Sequence, residues 1–470
     1  MREPRCRPGR GLRWCALFAI GTLGLAACNW PQFMFDPART SSNSAAKAIS
    51  PANAPTLVRK WQFSPDPSTQ LGQPAPRFDA TPVTYNGVTY VGAESGDFYA
   101  VQAATGTVVW KQFLGFIGEP CGAGVASTAA VSPDPATGEV RVYVGGGNGF
   151  VYALNAGDGA VRWKRRVAKQ LPNEDPAYLW SSPAVANGRV YMGIAALCDN
   201  FPHVHGAAVV ALDQASGSPR AKYLTEPQGA TGAGVWSSVS VDPADGSVFV
   251  TTGNADQNPD PGDGSSILRL DGLTLAKLDK WQVPVAEQSP DADFGASPTL
   301  FHAPGPGGTQ ALVGACNKNG TFYAFRRSAL AAGPVWRFQV GEPAINPPAC
   351  IAGAAFDGTR LYVGGNATTV GGTAYDGSVR ALDPASGSPI WEVGLPENVL
   401  GSPTVNGSGV VAASTLEVFS ATNATRLFDA NTGAILNTLP TRHVFAQAVW
   451  ANQQLIVATW NQGLLSYGLG

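Results

Sequence analysis

Charge is scarce in this chain: 14% of its 470 residues are Asp, Glu, Lys or Arg, and the formal net charge is −2. That balance leaves no basic footprint for a nucleic-acid partner. Histidine (4 residues) and methionine (3 residues) are also rare. No CxxC pair points to zinc, and no CxxCH points to covalent c-type haem, so no haem is expected. No GxSxG, P-loop or paired-carboxylate glycosidase pattern stands out, and helical periodicity is almost absent. What is plentiful is turn chemistry, with 56 Gly and 37 Pro beside 44% hydrophobic residues. Many short strands joined by tight turns account for that mixture, which is too apolar and too weakly charged for a disordered chain.

The first 28 residues read as a targeting segment. Arg2, Arg5, Arg7, Arg10 and Arg13 precede a short apolar run ending in Leu25-Ala26-Ala27-Cys28, too short and too early for a membrane span. The ending resembles a bacterial lipobox, which makes Cys28 the expected lipidation site and gives enough acyl chain for stable anchoring. The expected product is exported and lipid-anchored in the cell envelope, on the periplasmic side of an outer membrane or at the cell surface. Residues 29–56 then read as a tether and lead-in, and residues 57–470 as one domain. Export implies an oxidising compartment. Cys121, Cys198, Cys316 and Cys350 are therefore disulfide candidates, and four cysteines allow three pairings.

One phrase recurs along the domain: a small residue and Pro, a strand, a tight turn, a strand ending in Gly, another turn, and a strand closing in LDxxTG and often Trp. It runs from Thr81 to Trp110 as TPVTYNGVTYVGAESGDFYAVQAATGTVVW, and returns in SPAVANGRVYMG, GSVRALDPASGSPIW and SPTVNGSGVVAAS. Turn glycines Gly106 and Gly159 are 53 residues apart, and Gly387 and Gly433 are 46 apart. Such a period, with alternating Val/Tyr/Phe strands, predicts an all-β propeller of about eight four-stranded blades. The last repeat lacks a strand, while LVRKWQF (57–63) has no repeat of its own. The N-terminal strand is therefore expected to complete the last blade and remove an open edge. Trp110, Trp163, Trp336 and Trp391 are expected to pack between blades.

This repeat, with the opening NWPQFMFDPART (29–40), resembles the quinoprotein alcohol dehydrogenases, the polyvinyl-alcohol-dehydrogenase-like group in particular. The resemblance implies an eight-bladed propeller with pyrroloquinoline quinone (PQQ) near its axis. It also implies residue roles. Trp236 takes the place of the aromatic floor under the quinone, and Asn254 in TTGN matches a calcium ligand. Asp291 in PDADFGASP matches the catalytic base and a metal ligand, with Asp293 as the fallback base. Lys318 in NKNG matches the cation that touches the quinone oxygens. The implied cofactors are PQQ and Ca²⁺. The implied partners are a small alcohol or polymer substrate and an external electron acceptor, and a monomer is expected.

Departures from the family pattern accompany the matches. No Glu stands near Leu197–Asp199 where the calcium-binding one falls; Asp199 is one substitute, and Cys198 occupying that place is the other reading. The vicinal Cys pair that caps the quinone is represented only by Cys121, and an arginine expected near the quinone carboxylates is replaced by Ser127. A Cys121–Cys198 bridge across the top of the channel, leaving Cys316 with Cys350, is the alternative to a lone capping Cys121. The same repeat also occurs in a lipoprotein scaffold of the outer-membrane assembly machinery. The second expectation is therefore a non-catalytic binding propeller with envelope proteins as partners. His203 and His205, and the acidic stretch NADQNPDPGDG (254–264), read as loop features, since Pro259 and Pro261 break a calcium-loop pattern.

Overall fold

A computed structural model describes residues 29–65, 77–118, 121–169, 176–198, 206–226, 228–257, 259–288, 291, 293–343 and 348–470. Cys28 and the segment before it, Asp199, His203 and His205 lie outside the described residues. The described chain forms eight sheets arranged as an eight-bladed propeller, antiparallel except where Ser42–Asn43 pairs in parallel with Thr404–Asn406, and no α-helix. No helix among the described residues is long and apolar enough to cross a membrane.

A typical blade runs outward through Val83–Tyr85, Val88–Gly92, Asp97–Gln102 and Val108–Phe113. Its two middle strands are nearly all buried, and its outer strand is exposed at alternate positions, as a half-covered sheet edge requires. The last blade contributes only Val449–Ala451, Gln454–Ala458 and Leu464–Gly468, and Val58–Phe63 pairs antiparallel with the last of these as its outer strand. Ring closure thus joins the two ends of the domain and leaves no unpaired edge there.

The repeated tryptophans hold neighbouring blades together. Trp110 donates its indole N–H to the carbonyl of Ala156 on the next blade at 3.0 Å. Trp163, Trp336, Trp391 and Trp61 make the same contact with Gln214, Pro384, Ala430 and Ala103. Each ring lies flat on the glycine of the next blade's turn. A Cβ at Gly106 would come within 2.7 Å of Trp61, and Gly106 also sits at φ +72, so the turn demands glycine for two reasons. Where the third blade offers Ala221 instead of Trp, the fourth carries buried Leu275 at the corresponding turn, at φ 56.

Residues 30–43 do more than lead in. This stretch winds across one end of the axial channel, bonding to the innermost strand of blade after blade. Trp30 pairs with Thr84, and the carbonyls of Pro31, Pro37, Ala38, Thr40 and Ser41 accept the N–H groups of Val131, Val241, Leu300, Phe356 and Val405. Arg39, fully buried, donates to the carbonyls of Val239, Phe33 and Ser182.

Candidate functional site

Above this stopper the axis opens into a cavity of about 350 Å³. Its wall is built by the chain entering each innermost strand, and every blade contributes two residues spaced i, i+2, which point to the same side of an extended chain. The outer tier, nearer the mouth, holds Asp79, Trp180, Trp236 and Gly295, with Ile351, Leu400 and Phe445 opposite. The inner tier follows two residues later, at Thr81, Ser182, Ser238, Ser297, Gly353, Ser402 and Gln447, and Phe33 of the stopper also lines the cavity. Ala126 and Thr128 complete the eightfold pattern.

Four of the residues singled out by the sequence converge here. Trp236, Asn254, Asp293 and Lys318 line the cavity together, at the junction of the blades beginning at Ser240 and Thr299. The Trp236 indole N–H donates to Asp293 Oδ2 at 2.8 Å, and Lys318 Nζ lies 2.7 Å from Asp293 Oδ1 and 5.3 Å above the Trp236 ring. The Lys318 backbone N–H donates to the Asp293 carbonyl at 3.0 Å, fixing the two residues as one unit. Burial alone would lower the Lys318 ammonium's pKa, but Asp293 and Asp291 outweigh it and hold it well above the ordinary lysine value. Gly295 lies beside the indole, where a Cβ would sit 2.3 Å from the ring, so a larger residue would tilt it. Asn254 accepts the Ala233 N–H with its backbone carbonyl and also lines the cavity.

The structure separates the two aspartates and contains the alternative pairing of the four cysteines. Asp291 is not part of the cavity wall; its carboxylate reaches behind Lys318 at 2.6 Å, from a backbone at φ 75. The residue that presents a carboxylate to the cavity is Asp293, because the buried turn after it carries it inward while Asp291 remains partly exposed. Cys121 is exposed, lies outside the cavity wall, and bridges to Cys198, with Cys316 bridged to Cys350. The first bridge borders an apolar cluster with Tyr178, Trp180 and Leu197, and the last two of these do reach the cavity. Ser127 is buried away from the cavity and donates to the Ser181 carbonyl.

Sequence reasoning missed Asp79, Trp180 and the stopper. Asp79 accepts the N–H groups of Arg77 and Trp460, and Arg77 stacks 3.7 Å over the Trp460 ring. Behind it, fully buried Glu94 takes the Gly124 N–H, and burial beside Asp79 pushes its carboxyl up to about 8. The available signal was positional: Asp79 precedes Thr81-Pro as Trp180 precedes Ser182-Pro.

Residues 30–339 match the family model of the glucose/ethanol/alcohol dehydrogenase β-propeller domain. The chain belongs to this family. Within it, the chain is 24% identical over 441 residues to a polyvinylalcohol dehydrogenase of a Pseudomonas species, covering 82% of this chain and 65% of that protein. A second polyvinylalcohol dehydrogenase, from Sphingopyxis, is also 24% identical and is covered over 51% of its length. The chain thus spans between half and two thirds of these curated relatives. The quinohemoprotein alcohol dehydrogenase of Comamonas testosteroni superimposes with a TM-score of 0.73 at 17% identity, over 95% of this chain and 82% of that one. Residues 327–459 also match the model of the outer membrane protein assembly factor BamB. The BamB structure from Moraxella catarrhalis superimposes less well, with a TM-score of 0.59 over 88% of this chain.

Proposed function

We propose that this propeller is a PQQ-dependent, alcohol-dehydrogenase-like oxidoreductase, exported and tethered through Cys28. The observation that carries the reading is the Trp236–Asp293–Lys318 unit inside an axial cavity. A flat heteroaromatic group fits what the cavity offers: a half-buried indole backed by Gly295, a lysine ammonium over part of its ring, and a volume in the range of ligand sites, roughly 300–1,000 Å³. When bound, PQQ supplies the two-electron acceptor that no side chain provides.

The rest falls to the chain itself. Asp293, held by two donors on opposite oxygens, is oriented to take the proton of a substrate hydroxyl. Lys318 balances the carboxylate and offers a fixed positive charge for oxygen atoms in the cavity. Leu400, Ile351 and Phe445 make an apolar wall for the carbon skeleton of an alcohol, either small or a stretch of polymer. Electrons then pass to an external acceptor such as a cytochrome; one relative is named 1-butanol dehydrogenase (cytochrome c).

Calcium does not fit equally well. No group of three or more His, Cys, Asp or Glu stands ready to hold a metal among the described residues. Both Asp293 oxygens are engaged, and Asp291 is paired with Lys318, which leaves Asn254 as the expected donor without such a pairing among the described residues. No step is therefore routed through a metal.

The test is calorimetric titration of the chain from Asn29 onward with PQQ, with and without added calcium, followed by an alcohol screen with a dye acceptor. Saturable uptake with alcohol-dependent dye reduction supports the enzyme. The match of residues 327–459 to an assembly-factor model favours the second reading, a scaffold propeller for envelope proteins. Absence of PQQ uptake by the oxidised protein would move the assignment there.

A further inference from the structure

A covalent bond stands in one blade where others use a contact. Near the end of the second strand, Gly92, Gly193 and Gly364 face Val125, Val235 and Val399 of the chain entering the next blade. A Cβ on any of these glycines would fall within 2.7 Å of the opposing side chain, so the two elements touch without a bond. Each opposing valine directly precedes a residue of the cavity wall, as Val235 precedes Trp236. In the blade beginning at Thr299 the glycine's place is taken by Cys316 and the valine's by Cys350, and a disulfide joins them.

Packing alone serves this junction elsewhere in the ring, so the bond at Cys316 and Cys350 calls for another reason. The reason lies beside it in the chain. Ile351 follows Cys350 in the cavity wall, and Lys318 follows Cys316 by two residues. Little slack separates Cys316 from Lys318. The Asn317 N–H donates to the Thr321 carbonyl at 3.0 Å, and the Asn317 carbonyl accepts the Gly320 N–H at 2.9 Å. On the other side of the bridge, a Cβ at Gly295 would lie 2.7 Å from Ile351 Cγ2 and 2.3 Å from the Trp236 ring. One bridge thus frames the ammonium over the indole and the side chain at its edge.

The lysine needs such a frame. Its Nζ lies 2.6 Å from Asp291, whose side chain is 33% exposed, and 2.7 Å from Asp293, which is buried. A flexible four-carbon stem lets the ammonium follow either carboxylate, and its attraction to the inner one weakens with separation. Non-bonded contacts are individually weak and yield; a disulfide holds its two strands at a set distance.

We infer that the Cys316–Cys350 disulfide is a positioning device for Lys318, holding its backbone where Nζ serves Asp293 instead of following Asp291 outward. The cysteines lie outside the cavity wall and act through Lys318 and Ile351. The inference rests on the Trp236–Asp293–Lys318 unit being the site, yet it concerns the protein before any cofactor binds.

The test uses that property. Cys316→Gly with Cys350→Val recreates the pair found at Gly193 and Val235, so the junction keeps a packed form. Brief acetylation with acetic anhydride at neutral pH, read by peptide mass spectrometry, follows the free-amine fraction of each lysine. Lys318 should be acetylated about tenfold faster in the variant, the effect of a one-unit fall in its pKa. Lys277, paired with buried Asp263 in the adjacent blade, is the internal control and should not change. Should that variant fail to fold, protein carrying Cys121→Ser and Cys198→Ser is compared in its oxidised and reduced forms, which differ only at the buried bridge. Lys318 reactivity that ignores the bridge, or that rises only in step with Lys277, would overturn the inference. PQQ titration of the same proteins keeps the two readings apart: a wild type without PQQ uptake removes the cofactor, while lysine reactivity still decides the role of the bridge.

Discussion

The indole N–H of Trp236 and the carboxylate of Asp293 meet at 2.8 Å across 57 residues of chain. The bond leaves Asp293 Oδ1 facing Lys318, and it turns the one carboxylate of the expected base pair that lines the cavity toward the centre of the site. An aromatic ring, a carboxylate and a cation are thereby fixed relative to one another before any ligand arrives, the kind of preorganisation that the proposed proton transfer requires.

Exchange of the two aspartates separates their roles. Asp293→Asn should reduce dye-linked alcohol turnover by about 10²–10⁴-fold, the usual worth of a general base, with PQQ affinity changed only a few-fold. Asp291→Asn should cost less than tenfold, since its carboxylate stands behind Lys318. Equal losses in steady-state assays of the two variants would refute the assignment of Asp293 as base.

Removing the lysine should be felt in stability as well as activity. Lys318→Met leaves Asp293 buried without its counter-charge, a loss of about 3 kcal/mol by denaturant unfolding at neutral pH. The folded lysine lies above its ordinary 10.5. Its contribution is therefore complete at neutral pH and is lost in the wild type only as pH rises beyond that value. Acidification that protonates the carboxylates should narrow the gap between variant and wild type.

The buried Asp79–Glu94 pair gives the fold a second pH dependence. Glu94 is raised from 4.5 to about 8 in the folded chain by burial and by Asp79. The folded state therefore holds more protons than the unfolded one between those values, and stability should fall as pH rises from about 5 to about 8. Tm profiles of Glu94→Gln should lack that slope. Arg77, also beside Asp79, acts in the opposite sense and sets how steep the wild-type slope is.

Ring closure rests on one tryptophan that no repeat contains. Trp61→Ala should cost about 3–5 kcal/mol, because the indole covers Gly106 and bonds to Ala103 on the first blade. Chemical denaturation should show the loss, and limited proteolysis should cut first near the strand Val58–Phe63. A change under 1 kcal/mol would mean that the strand pairing alone closes the ring.

The cross-blade bridge is expected to matter more than its exposure suggests. Cys121 and Cys198 are 77 residues apart, and a loop of that size implies about 4 kcal/mol of chain-entropy stabilisation. The double variant Cys121→Ser, Cys198→Ser should lose much of that in equilibrium unfolding, while Trp180 shifts its fluorescence as the apolar cluster loosens.

Much of the architecture is written in short-range chemistry. A period near 50 residues, strands that alternate and turns that need positive φ each depend on residues close in sequence, so blade number, the inter-blade role of Trp110 or Trp391, and the fate of the stray strand 57–63 could all be read directly. Trp236, Asn254 and Lys318 were singled out by the family resemblance, through TTGN and NKNG, and the fold brings all three to one cavity.

The choice between Asp291 and Asp293 was not legible in that way. Two aspartates two residues apart are told apart by contacts with Trp236 and Lys318, residues distant in sequence. The stopper was equally hidden. Residues 30–43 carry no repeat and bond through their own carbonyls to strands up to hundreds of residues away, so no local pattern marks them. Local sequence determined the repeating blade, because turns and strand pairs are decided by neighbours. Tertiary structure decided the cavity, the carboxylate that lines it beside Trp236 and its sealed end, because eight separate strand entries acquire a common centre only when the ring has closed.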